Sequence, residues 1–206
     1  MYSSNIIPGN IMPQINRDSI MTLEAYAKVR QKFRTEVMTH KKNRKVSIGE
    51  DITLIFEDEL TVRYQIQEML RVEKIFEEKG ILDEMSVYGE LIPDGSNWKA
   101  TMLIEYPDPV ERADKLTKLI GIEDNVWVRV QGHNPVYAIA DEDLERETEE
   151  KTSSVHFLRF ELTQDMIQGL YNGAFLSMGI DHSVYHALIE QVDTMVCSSL
   201  INDLTI

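Results

Sequence analysis

The chain reads as an α+β fold: a mostly antiparallel sheet of about six to seven strands with helices packed on it. Three observations point there. Segments 98–106 and 155–162 alternate apolar and polar residues at a period of two, the mark of a half-buried strand. Short strand-like runs are joined by turn residues, Gly49-Glu50-Asp51 and Gly132-His133-Asn134-Pro135, which marks hairpins. Between these runs lie stretches with apolar residues every three or four positions, as in amphipathic helices.

Taken in order, residues 1–18 read as an N-terminal arm, and 19–206 as one α+β domain. No repeat or linker divides it. A first helix is expected over 19–40, capped by Asp18 or Ser19, with Leu23, Tyr26, Phe33 and Val37 as its apolar stripe and Arg30 inside that stripe. Strands KVSI and ITLIFE follow. A long helix is then expected over 60–80, ending at a Gly80 cap. Its stripe of Val62, Ile66, Met69 and Phe76 contains Glu73, so a carboxylate points at the core, where an unpaired charge is costly. Arg30 is the natural partner for it. A shorter helix over 82–91 and the turn Pro93-Asp94-Gly95 lead into the strand WKATMLIEY. Asp108 with Pro109 starts another helix. Two strands, 125–131 and 136–140, precede the acidic run DEDLERETEE, which reads as a surface helix or loop. The strand at 155–162, a helix at 163–171, the strand AFLSMGI and a last helix over 193–204 complete the chain.

Composition narrows the function classes. The net charge of −14 argues against general nucleic-acid binding, which needs cationic surface to neutralise phosphates. The charge is uneven: Lys28, Arg30, Lys32, Arg34, Lys41, Lys42, Arg44 and Lys45 face a single Glu36 in 28–45, and seven acids face Arg146 in 141–150. Two such patches suit a partner surface or a homo-oligomer; each also reads as the solvated face of a helix. No apolar run approaches the roughly 20 residues that span a bilayer. The N-terminus has no basic start followed by an apolar block, so it is not read as a secretory signal. Cys197 is the only cysteine, which excludes an internal disulfide and CxxC metal sites. A cytoplasmic home is expected from it.

Candidate site residues are few. His156 sits on an apolar strand face, where it is either a satisfied core histidine or a ligand facing Glu73. Asp181 and His182 lie at a strand end, and the carboxylate can orient the imidazole. His182 and His186 are spaced i, i+4, with Glu190 four further on; on a helix this trio could hold a divalent metal. Arg159 can pair with Glu161 or bind an anionic ligand with its fork of donors. ExxH, GxSxG, GxGxxG and GxxxxGK[ST] are all absent, which removes ferritin-like di-iron, hydrolase, dinucleotide and P-loop readings.

The strings HKKNRKV, YQIQEMLRVE, LIPDGSNWKATMLIE, DEDLERETEEKTSSVHFLRFEL and GIDHSVY together resemble a bacterial domain-of-unknown-function family, the one numbered 3501, over about 19–185. The resemblance assigns no activity. It implies neighbourhood with rubrerythrin-type proteins and cysteine-rich iron–sulfur oxidoreductases, hence a link to redox stress. The expected function is therefore a non-catalytic cytoplasmic accessory or binding protein with a redox or iron–sulfur partner. The alternative is a metal-dependent enzyme or metal sensor using Glu73, His156, Asp181 and His182.

Overall fold

The computed structural model describes residues 15–144, 146–148 and 150–206; most of the expected arm lies outside the described residues. The strongest sequence signals become two neighbouring strands. β1 (Lys45–Ile48), β2 (Ile52–Phe56), β3 (Asn97–Ile104), β7 (Val155–Glu161) and β6 (Ile139–Ala140) form one antiparallel sheet in the order β1-β2-β3-β7-β6. β3 buries Trp98, Ala100, Met102 and Ile104, and β7 buries His156, Leu158 and Phe160, as their alternation dictates. A second antiparallel sheet has the order β5-β4-β8-β9, from β4 (Val126–Val130), β5 (Val136–Tyr137), β8 (Leu176–His182) and β9 (Tyr185–Ile189). The fold is α+β and antiparallel, with its strands divided between two sheets.

The division happens inside a segment that reads as one strand. Val136 and Tyr137 pair with β4, whereas Ile139 and Ala140 pair with β7. The chain changes sheets at the buried Ala138. Inward residues of both sheets join one apolar cluster, with Ile167 and Leu170 of α5 (Gln164–Tyr171) and Val196 and Leu200 of α6 (Thr194–Ile201). Each fully buried side chain of this kind contributes about 1.5–3 kcal/mol. Phe56 meets Trp98 edge-on at 6.1 Å between ring centroids, and the Trp98 indole N–H donates to the carbonyl of Leu200. That bond satisfies the polar atom of a ring with no exposure.

A second cluster, Ile20, Val62, Ile66, Leu70 and Ile81, joins α2 (Glu59–Glu73) and α3 (Glu78–Gly89), with α1 (Leu23–Lys41) beside them. Here the helices depart from expectation. α1 starts at a Thr22 cap, and a 3-10 turn at Arg17–Ser19 precedes it. α2 buries Val62, Ile66 and Leu70, a strict four-residue stripe, in place of the set that ends at Phe76. It stops at Glu73 because Lys74 adopts a left-handed conformation (φ 56°) whose amide closes on Leu70. Gly80 lies inside α3 and caps nothing. Glu73 and Phe76 are therefore exposed. The carboxylate that Arg30 meets is Glu68, bidentate at 2.7 and 2.8 Å, with the Tyr26 hydroxyl donating to the same group.

α4 (Pro109–Lys118) begins as expected, with Asp108 accepting from the amides of Val110 and Glu111. Among the described residues, 141–154 carry neither helix nor strand. None of the helices described is long and apolar enough to cross a membrane.

Candidate functional site

Two neighbouring features carry unusual chemistry, and both are built on β7 and the irregular segment 141–154. β7 is antiparallel to β3 and β6, so its alternation sends His156 inward and Phe157 and Arg159 outward.

The inward feature starts where β6 ends. Asp141 has φ 49°, a conformation uncommon outside glycine, which aspartate tolerates when its side chain bonds locally. Here it does. Its Oδ1 accepts from the Phe157 amide at 2.9 Å, and its own amide donates to the Phe157 carbonyl at 2.8 Å. This turn aims Oδ2 at Nδ1 of His156, 2.6 Å away. The imidazole has no exposure. Its Nε2 lies 3.0 Å from the Ser153 carbonyl, which can only accept, so Nε2 carries a hydrogen. Thr152 Oγ1 is also 3.0 Å from Nε2.

A third group arrives on the 3-10 turn Glu123–Asn125. Glu123 is 5% exposed, and its Oε1 lies 3.8 Å from His156 Nδ1, beyond hydrogen-bond reach. Burial pushes its carboxyl above the usual carboxylate range and neighbouring Glu147 adds to this, against the pull of its own amide and of His156. Glu147 itself accepts from the Gly121 amide. Arg146 is the one cation facing these carboxylates among the described contacts. It touches Asp141 at 3.2 Å but engages Asp143 with two bonds, at 2.6 and 2.8 Å, and stacks over Phe157 at 4.5 Å. Glu123, Asp141 and His156 are the one group among the described residues whose donor atoms lie close enough to share a cation.

The outward feature is a groove of about 890 Å³ between the C-terminal half of α3, the outer face of β3 and β7, and residues 142–144. Tyr88, Leu91 and Phe157 give it apolar surface, and exposed Val87 and Leu144 stand at its sides. Lys99 and Arg159 are directly opposite one another in register, a repulsive arrangement unless offset. Glu142 offsets it with two bonds to Arg159, at 2.7 and 2.8 Å, and Glu161 with one at 2.6 Å. Lys99 donates to the Glu90 carbonyl. Glu90, Asp94, Glu142, Asp143 and Glu161 also line the groove, five carboxylates against two cations.

The remaining sequence candidates lie apart from both features. Glu73 sits at the exposed end of α2. His182 and His186 belong to a β-hairpin, not a helix. His182 pairs with Tyr185 and His186 with Asp181, so the two imidazoles face opposite sides. His182 donates from Nε2 to the Ile120 carbonyl and accepts the Val184 amide at Nδ1. Exposed His186 lies 3.2 Å from Asp181, which also accepts from the Tyr137 hydroxyl. His156 is in the other sheet, and its carboxylate partners are Asp141 and Glu123 in place of Glu73. Burial pushes the Cys197 thiol up, away from the reactive thiolate. Within the basic stretch, Arg30 is held by Glu68, and Arg44 is 1% exposed.

A family model described as a protein of unknown function, DUF3501, matches residues 14–204. Among solved structures, that of a novel protein of unknown function from Burkholderia pseudomallei K96243 is 55% identical, with a TM-score of 0.89. The match covers 94% of this chain and 100% of that one. Comparison with curated proteins finds none that matches.

Proposed function

The chain belongs to the DUF3501 family of proteins of unknown function, and we propose that it is a non-catalytic binding protein whose working surface is the groove between α3 and β7. One observation carries this reading: the groove joins exposed apolar anchors, Val87 and Leu144 at 68% and 63%, to an excess of carboxylates. Such a surface complements a cationic segment with an apolar anchor, presented by a partner protein. The net charge of −14 steers the same class of partner. The absence of GxSxG, GxGxxG and GxxxxGK[ST] from the sequence supports the non-catalytic part of this reading. The family resemblance directs the choice of partner to rubrerythrin-type and cysteine-rich iron–sulfur proteins.

The test is a titration of the untagged chain with purified proteins of these two classes from the same organism, at about 50 and 300 mM salt. The reading expects at least one to bind, more weakly at the higher salt, and to lose binding to the double variant Val87→Asp, Leu144→Asp. Both side chains are exposed, so the variant keeps the fold. Failure of both classes to bind at low salt would sink the redox assignment. Undiminished binding by the double variant would sink the groove.

A further inference from the structure

We propose that Glu123, Asp141 and His156 form a site for one divalent transition-metal cation, separate from the groove. The argument begins with the imidazole. The hydrogen on Nε2 is committed to the Ser153 carbonyl, the kind of outer contact that fixes the tautomer of metal-binding histidines. Nδ1 is thus the nitrogen turned toward the two carboxylates. It faces Asp141 Oδ2 at 2.6 Å, where two lone pairs repel unless something positive lies between them. At that spacing the species is a proton. Metal–ligand bonds of roughly 2.0–2.2 Å place adjacent ligands roughly 2.8–3.1 Å apart on an octahedral centre and roughly 3.3–3.6 Å apart on a tetrahedral one. Exchanging the proton for a metal therefore requires the pair to open by roughly 0.2–1 Å, least for an octahedral ion.

The surroundings favour that exchange. Glu123 and Asp141 converge on one imidazole out of water, with Glu147 beside Glu123, and Arg146 is shared between Asp141 and Asp143. A divalent cation adds positive charge where two carboxylates meet beside a third and Arg146 is shared. Glu123 Oε1, at 3.8 Å from Nδ1, stands just outside the tetrahedral spacing of roughly 3.3–3.6 Å and reaches it by closing a few tenths of an ångström. Thr152 Oγ1 lies 3.4 Å from the other oxygen of Glu123 and steadies it. Asp141 Oδ1 is held by the Phe157 amide and Arg146, whereas Oδ2 bonds only His156 among the described contacts, so a small turn of the carboxylate about Oδ1 opens the distance from Oδ2 to Nδ1. The imidazole selects against calcium and magnesium, and the lack of thiolate selects against copper(I). Zinc, manganese(II) and iron(II) fit the mixed set.

The experiment uses full-length untagged protein stripped with chelator, then equilibrium dialysis against Zn²⁺ or Mn²⁺ alone. One equivalent of at least one ion is expected. Asp141→Asn and Glu123→Gln should each weaken that binding at least tenfold. Asn at 141 retains an acceptor for the Phe157 amide, and metal-free thermal melts establish that each variant folds. His186→Ala, which removes an exposed imidazole, should leave binding unchanged. Less than a tenth of an equivalent bound for both ions overturns the proposal. So does binding that survives in both carboxamide variants, or that disappears in His186→Ala.

Discussion

Arg44 lies in the basic stretch whose surface charge suggests a partner site, yet it is 1% exposed and holds the end of the chain to the first sheet. Its Nε donates to the Phe56 carbonyl at 2.9 Å and its Nη2 to the Glu57 carbonyl at 3.0 Å. Asp203 and Asp58 are its acidic partners, and Ser199 receives its Nη1. Arg44→Met fills similar space but leaves two carbonyls and the buried Asp203 carboxylate without their donor. Breaking a buried pair by removing one partner costs about 3–5 kcal/mol. For a chain of this size about 2–4 °C of melting temperature is lost per kcal/mol, so the variant should melt about 6–20 °C lower. The loss should also depend on pH. Burial pushes Asp203 up to about 6 even with Arg44 pulling against it. A raised acid contributes stability below its unfolded value, and this is lost as pH rises through about 6. Without Arg44 the carboxyl rises further, so the deficit of the variant should be larger at pH 8 than at pH 5. Scanning calorimetry of both proteins at the two pH values measures this. A loss under about 2 °C at both, or a deficit that shrinks as pH rises, would refute the argument that Arg44 neutralises a buried acid.

Two further outcomes follow from the packing. The guanidinium of Arg30, then the Tyr26 hydroxyl, hold Glu68 down at about 2 against the pull of burial. A lowered acid contributes stability above its unfolded value that is lost as pH falls through its folded one, so the contact between α1 and α2 should loosen between pH about 4.5 and 2. Glu68→Gln should flatten that part of an acid titration followed by circular dichroism. Gly49→Ala should destabilise by about 1–3 kcal/mol in urea. Gly49 has φ 76°, and a Cβ there meets the Tyr185 hydroxyl, which ties β9 to the β1–β2 turn through the Ile48 carbonyl.

Where a physical period runs through the chain, sequence and structure agree. The alternation of β3 and β7, the Asp108 cap and the apolar side of α6 all fall where spacing places them. The 60–80 helix fails for an identifiable reason: the expected stripe runs on through Glu73 to Phe76, and the left-handed turn at Lys74 ends the helix before Phe76. Periodicity is silent about that turn and so directs Glu73 inward. The change of sheet at Ala138 is equally silent, because Val136 through Ala140 read the same whether they pair with one neighbour or two. His156 is visible as a histidine on an apolar face. Its partners are not: Glu123 sits in a single 3-10 turn, and Asp141 opens an acidic run that looks solvated. What draws Asp141 in is its local bonding to Phe157, a tertiary contact with no spacing rule behind it.

Hydrogen–deuterium exchange of the chain with and without its bound partner tests the central claim most directly. The groove reading predicts slowed exchange at residues 87–91, 142–144 and 157–161, with the basic face of α1 unchanged. Protection confined to 28–42, with the groove exchanging as freely as before, would contradict it.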